Sequence, residues 1–382
     1  MLRYVVFQPT FTGTAYDLQI EKGRIAALLA ERPGWTVTIA SAAAHQLPHP
    51  LQSVAIGKGR LSTLRCIWRL APDTDVLQLL NFHWRALIRA ALYRLRNPRG
   101  VCYLRISGTT AASLERDERR LRHPLYRWLL RWGFRSIDLV SAESTGLLAR
   151  FDRFLSLGGV RRLPTRLIVS SCGFDAEAVE DRMARVGAPE DGILYVGRIG
   201  VPVKATDVLL AAFRRLREEL AVDASLTLVG PVQDGFMESF RRWRDKARAA
   251  TSSAVSFVGP IWDRGELIER YLRAKVFVIC SRSESGPNAF VEAASCGCLL
   301  VGTKVGEVAD VIAAVGGGWE VEIEDVGGLA QALADAVRAP DGEQARRGRI
   351  AAFRRQYSWS GMIDRLAGEL EALSRARGGR PA

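Results

Sequence analysis

Two cations, Arg198 and Lys204, stand six residues apart in the loop "VGRIGVPVK", between an apolar run and a helical one. Such a pair, introduced by Gly197 and placed at a helix amino end, suits a diphosphate. Arginine grips it with a planar fork, lysine acts as a point charge, and the helix dipole adds to both. Two carboxylates, Glu284 and Glu292, stand eight residues apart in "SRSESGPNAFVEAASCG". Pro287 fits a first helical position and Gly297 a C-terminal cap, which predicts a helix over about Asn288–Cys296. Glu284, in the tight loop ahead of it, can accept hydrogen bonds from sugar hydroxyls, and Glu292, on the second turn, can reach a ribose diol. Each of these residues is also common on an ordinary solvated surface, so none decides the matter alone. The first strand-to-helix loop, "PTFTGTAYD", carries a single glycine, Gly13, which is expected to help bind the same ligand. His83 in "LLNFHW" is either an active-site residue or a packed, loop-capping histidine.

Loops of this kind need strands that end beside them. Short apolar strands are expected at Tyr4–Gln8, Trp35–Ala40, Val76–Leu80, Val101–Ile106, Asp138–Ala142 and Arg166–Ser170. A second series is expected at Ile193–Val196, Leu226–Val229, Val255–Val258, Val276–Ile279 and Leu299–Gly302. Helical stretches lie between them, among them Trp84–Arg96 and a long one over Ser113–Trp132. Strands separated by helices of about ten residues or more indicate βαβ units and parallel sheets. Two such series predict an α/β protein of two Rossmann-like doubly wound domains facing across a cleft. The polar, turn-rich stretch between Phe174 and Gly192 places the junction, with domains at 1–178 and 179–355. Ligands of such sheets bind outside the carboxyl ends of the strands, where the loops quoted above fall.

Composition narrows the field. The 382 residues are 48% hydrophobic and 25% charged, which excludes disorder and low complexity. The longest uncharged stretch, Thr36–Gly57, holds two His, two Gln and two Pro and reads as strand plus loop, not as a membrane span. The opening MLRYVVFQPT is too short and too quickly polar for a signal peptide. Six cysteines, Cys172 among them, form no disulfide framework, and Cys296 and Cys298 read as helix-end packing. The expected location is cytoplasmic. No G-x-G-x-x-G, P-loop, H-E-x-x-H or G-x-S-x-G occurs, so nicotinamide, kinase, zinc-protease and hydrolase chemistry find no support. The triplet Asp73-Thr74-Asp75 precedes a strand and reads as chance rather than as a metal site.

The pieces "VGRIGVPVK", "LTLVG", "VSFVGPI", "VFVICSRSESGPNAFVEAASCG" and "VGEVADVI" stand in an order that resembles the donor-binding half of one family. It is that of the retaining, sugar-nucleotide-dependent glycosyltransferases of family four, which have the two-domain GT-B architecture. Glu284-x7-Glu292 matches the family's E-x7-E signature. "RLIVSSCGFD" resembles its interdomain segment, with Cys172 where Asn is common. "YSWSGMIDRLAGELEAL" resembles its terminal helix, so residues 356–382 are expected to cross back to the first domain. The resemblance implies that Arg198 and Lys204 neutralise a leaving diphosphate in place of a metal ion. It implies that Glu284 and the Gly286–Pro287–Asn288 backbone hold the donor sugar and distal phosphate, and that Glu292 holds the ribose. No cofactor is implied beyond the nucleotide diphosphate sugar itself. Where many members carry a His after a first-domain strand, "VCYLRISGTT" offers Arg105 and Ser107.

Net charge is +13, and residues 1–180 carry 26 Lys/Arg against 14 Asp/Glu, while residues 181–382 carry 28 against 27. The excess therefore sits in the half expected to bind the acceptor. Arginine interleaved with Trp, Tyr and Leu in "WRALIRAALYRLRNPRG" and "ERDERRLRHPLYRWLLRWGFR" suits an anionic membrane surface. The expected partners are a nucleotide-sugar donor, a glycan or lipid-linked acceptor and the inner face of the membrane. Nucleic acid is not expected, because no recognised binding module is present. Alternatives are a GT-B epimerase or phosphorylase, or a basic lipid- or nucleic-acid-binding protein on an inactive scaffold. The E-x7-E wording argues against the epimerase, and the short length against the phosphorylase.

Overall fold

The computed structural model describes residues 1–14, 18, 21–57, 59, 61–106, 111–160, 165–170, 173–174, 176–187, 189–284 and 286–378. Ser107 and Cys172 lie outside the described residues. The chain divides into two compact units, Met1–Ser171 with Ser360–Ala382, and Cys172–Trp359.

In the first unit the strands are β1 (Leu2–Phe7), β2 (Trp35–Ser41), β3 (Gln52–Ala55), β4 (Val76–Leu80), β5 (Val101–Ile106), β6 (Leu139–Ala142) and β7 (Arg166–Val169). They form one parallel sheet in the order β3-β2-β1-β4-β5-β6-β7. The connecting helices are α1 (Glu21–Ala30), α2 (Ser62–Leu70), α3 (Trp84–Arg96), α4 (Ala111–Arg120), α5 (Pro124–Phe134) and α6 (Thr145–Leu157). Every residue of β5 is buried, as expected of a central parallel strand covered on both faces. Beside it Phe82, Phe134, Phe151 and Phe154 form an aromatic cluster with ring centroids 5.2–6.0 Å apart.

The single helix expected over Ser113–Trp132 is two. Pro124 has no N–H to donate and disfavours helical geometry at His123, so α4 stops and α5 starts with proline at its first position. The break lets α5 turn onto α3, and Gly133 is the point of closest approach. A Cβ there would lie 2.5 Å from the Leu87 Cβ. Gly133→Ala is therefore expected to destabilise the protein by about 1–3 kcal/mol through overpacking. A lower urea midpoint at unchanged slope would show it.

The second unit has α7 (Ala176–Met183), β8 (Glu190–Val196), α8 (Thr206–Glu218), β9 (Ser225–Val229), α9 (Phe236–Arg244), α10 (Ala249–Ser252), β10 (Val255–Gly259) and α11 (Arg264–Arg273). Then follow β11 (Ala274–Ile279), α12 (Asn288–Ser295), β12 (Leu299–Thr303), α13 (Val308–Val315), β13 (Trp319–Val321), α14 (Val326–Arg338) and α15 (Glu343–Tyr357). Its parallel sheet runs β10-β9-β8-β11-β12-β13. One buried cluster draws on α8 and α14, and another on α11, α12, α13 and α15.

The division falls ahead of the polar stretch that the composition shift singled out. Phe174 is the reason: it is buried against Phe353 and donates its N–H to the Tyr357 carbonyl, so the second unit begins before it. Tyr357 ends α15, and the last helix, α16 (Trp359–Ala376), starts after it. From Ser360 onward the chain packs with the first unit. Asp364 pairs with Arg32, Glu369 with Arg166 at 2.6 Å, and Arg377 with Asp138.

Candidate active site

β8 ends at Val196, and Gly197, Arg198 and Gly200 lead into a 3-10 turn, Pro202–Lys204. Ala205, with φ of 50°, turns the chain into α8, and the Thr206 hydroxyl accepts from the Gly200 N–H at 2.9 Å. Just past the end of the neighbouring strand β11 stands Cys280, whose thiol is tied to the Lys204 and Ala205 carbonyls at 3.3 and 3.2 Å. Arg282 N–H donates to the Val203 carbonyl at 2.9 Å. The two loops are thus stitched together at the carboxyl ends of adjacent strands. The cap residues themselves, Ala205 of α8 and Pro287 of α12, make no side-chain capping bond, but the Asp207 carboxylate, paired with Arg282, accepts from the Asp207 and Val208 N–H groups in the first turn of α8.

This stitching brings Lys204 and Glu284 together as an ion pair, with both side chains largely buried. The Ser281 hydroxyl donates to the same Glu284 oxygen at 2.7 Å. Arg198 stands on the same loop as Lys204, with its side chain exposed. Pro287, expected at the first helical position, is buried and stands instead as the cap of α12, which ends at Ser295, one residue before the expected Cys296.

Glu292 has its own holders. Arg264 pairs with one of its oxygens, and the Tyr271 hydroxyl donates to the other at 2.8 Å. Burial and then the Glu292 carboxylate push the Tyr271 hydroxyl well above its ordinary pKa, which keeps it a donor. Burial works against the Arg264 charge, but Glu292 outweighs it and the guanidinium is held above its usual value. Ser281, Arg264 and Tyr271 are functional neighbours that sequence reasoning missed. Their own spacing carried no signal, because two come from α11, a helix apart from the loops.

In the first unit, Gly13 has φ of 77°, and a Cβ would meet the His45 ring at 2.5 Å, so glycine is required there. His83 caps α3, its Nδ1 accepting from the Ala86 N–H at 3.0 Å. Burial, then Arg89 and Arg85, push its pKa down to about 4, so the cap is neutral at ordinary pH. Arg105 is fully buried and donates to the Ser170 hydroxyl and carbonyl at 2.8 and 2.9 Å. It ties β5 to the end of β7 instead of facing a ligand. Asp73 pairs with Arg3, and Asp75 accepts from the Arg3 N–H at 2.8 Å, so the acidic triplet anchors the start of β1. Among the described residues, no group of three or more His, Cys, Asp or Glu is placed to hold a metal ion.

The architecture is that of the GT-B class. Anabaena HepE in complex with UDP superposes with a TM-score of 0.69 at 16% identity, covering 97% of this chain and 100% of that one. A UDP-forming α,α-trehalose-phosphate synthase from Burkholderia vietnamiensis gives 0.72 at 12% identity, covering 98% of each. Within that class, residues 190–339 match the family of glycosyl transferases group 1. D-inositol 3-phosphate glycosyltransferase 2 of Catenulispora acidiphila is 35% identical over 191 residues, 46% of this chain and 44% of that protein. The D-inositol 3-phosphate glycosyltransferase of Mycolicibacterium smegmatis is 32% identical over 202 residues, 51% of this chain and 44% of that protein. The chain thus spans less than half the length of these relatives.

Proposed function

We propose that the protein moves a hexose from a nucleotide diphosphate sugar to a lipid-linked or cell-surface glycan precursor, with retention at the anomeric carbon and without a metal ion. The pairing of Lys204 with Glu284 beside Arg198 carries this reading. As the glycosidic bond to phosphate breaks, negative charge gathers on the leaving diphosphate and the sugar becomes cationic. Preorganised donors aimed at that charge lower the barrier most. In this reading Lys204 exchanges its carboxylate for the diphosphate, Arg198 adds a fork, and Gly197 admits the phosphate to the backbone. Glu284, released from Lys204, turns to the donor sugar with Gly286, Pro287 and Asn288. Glu292, held by Arg264 and Tyr271, offers its remaining lone pairs to the ribose.

The UDP in the HepE complex supports a nucleotide donor here. The test is a screen of nucleotide diphosphate sugars by thermal shift, followed by proton NMR of the product's anomeric linkage. A single donor that raises the melting temperature and a product of retained configuration are expected. Transfer is also expected to proceed undiminished in EDTA, since in this reading Arg198 and Lys204 take the part of a metal. Activity lost in EDTA and restored by manganese would overturn the metal-free assignment.

We further propose that the first unit works at the cytoplasmic face of a membrane. No helix among the described residues is long and apolar enough to cross one. Support comes from α2, α3 and α5, which lie side by side and carry eight arginines and no acidic residue.

A further inference from the structure

We propose that the cavity at the amino end of α3 binds a phosphate ester, the anionic end of the acceptor. The cavity, about 320 Å³, opens beyond the carboxyl end of β4 and is lined by His83, Arg85, Arg89, Arg116, Asp117 and Arg120 among others. Four arginines face one carboxylate, which leaves an excess of three positive charges. That carboxylate is already engaged, because Asp117 pairs with Arg120 at 2.8 Å. Arg85, Arg89 and Arg116 have no carboxylate partner among the described residues. Arg89 lies over the Phe7 ring at 5.1 Å, and Arg85 over Trp84 at 5.3 Å, so both are held by ring faces and keep their forks for a ligand.

Holding unpaired cations together costs free energy, and the structure registers the cost. Burial and then the neighbouring Arg85 charge lower the Arg89 pKa from its ordinary value. An anion in the cavity relieves that repulsion. A phosphate monoester carries about −1.5 to −2 at neutral pH and offers three oxygens to arginine forks. The amino end of α3, thirteen residues long, adds its dipole. His83 contributes the cap without adding a further positive charge, since it is neutral there. The shared chemistry fits a soluble sugar or polyol phosphate as well as a lipid diphosphate.

This inference rests on the reading of the first unit as the acceptor side, and its test separates the two. The full-length Arg198→Ala/Lys204→Ala protein, which lacks the second unit's loop cations, is titrated calorimetrically with inorganic pyrophosphate at low salt. One saturable site is expected. Adding Arg85→Gln and Arg116→Gln, both exposed and neither paired with a carboxylate among the described residues, is expected to weaken it by about 100-fold, roughly tenfold for each charge-assisted contact. Adding Arg241→Gln and Arg242→Gln instead, exposed on α9 of the second unit, is expected to leave it unchanged. No saturable binding, or equal weakening by the two pairs, overturns the proposal. Farnesyl diphosphate identifies the source: binding tighter than pyrophosphate assigns a lipid-borne ester, and equal binding a soluble one. Because the readout is binding, a site that titrates here while the protein with Arg198 and Lys204 in place transfers from no nucleotide diphosphate sugar would overturn the catalytic reading and leave the site standing.

Discussion

Lys204→Ala is expected to lower turnover by about 100-fold or more, and Glu284→Ala to do the same, each in a protein that still folds. The magnitude is that of one preorganised contact made strongly in the transition state, about 3–4 kcal/mol. Both side chains sit where a contact acts in reduced dielectric, with exposures of 22% and 13%. Loss of either leaves the other without its ion-pair partner, but Ser281 still holds Glu284, and neither change opens the hydrophobic core. Folding is therefore expected to survive. Because the two residues touch, their effects should not add: the double variant is expected to fall little below the worse single one. A fall in kcat with little change in KM separates a transition-state role from uniform binding. Near-normal turnover in both single variants would remove these residues from the mechanism.

The second unit was the legible half. Its strands are short apolar runs closed by glycine or small polar residues, and its loops carry few charges, so Arg198, Lys204 and Glu284 stood out. The carboxyl-end rule of parallel sheets then said which loops to read, and the Lys204–Glu284 pair follows from two adjacent strands, β8 and β11. What stayed hidden depends on packing across distant sequence. Arg264 and Tyr271 approach Glu292 from α11, and nothing in their spacing points to α12.

Arg105 shows the limit in reverse. It stands near the carboxyl end of an apolar strand, as a ligand-facing residue would, yet it is fully buried and tied to Ser170. A strand buried on both faces has no polar alternation to reveal which side a residue takes. The edge strands β3 and β13, of four and three residues, were too short to rise above their loops. The break at Pro124 is a different case: its signal was plain in the sequence, but the amphipathic period ran on through it and outweighed the proline.

Replacing Arg127, Arg131 and Trp132 together is expected to weaken binding to anionic vesicles by more than about 100-fold. Each basic residue near an anionic surface contributes about 1 kcal/mol, so at 1.4 kcal/mol per tenfold change the two arginines account for roughly 30-fold, and loss of the Trp132 ring's apolar area supplies the rest. The three residues lie on α5, where Trp128 and Trp132 stack with ring centroids 6.0 Å apart and Leu125 is 74% exposed. Trp84 and Leu95 on α3, and Trp68 on α2, are exposed on the helices beside it. Aromatic rings and leucine exposed among arginines, with no carboxylate on any of the three helices, match the boundary of an anionic bilayer. Attachment of this kind is expected to be reversible, as the proposed collection of a soluble donor for a lipid-borne acceptor requires. It should also weaken with salt, since exposed charges are screened over about 8–10 Å at physiological ionic strength. Co-sedimentation with phosphatidylcholine vesicles, with and without phosphatidylglycerol, at low and high salt is the measurement. Binding that needs the anionic lipid, falls with salt and is lost in the triple variant supports the membrane face. Equal failure to bind both kinds of vesicle would assign the acceptor to solution.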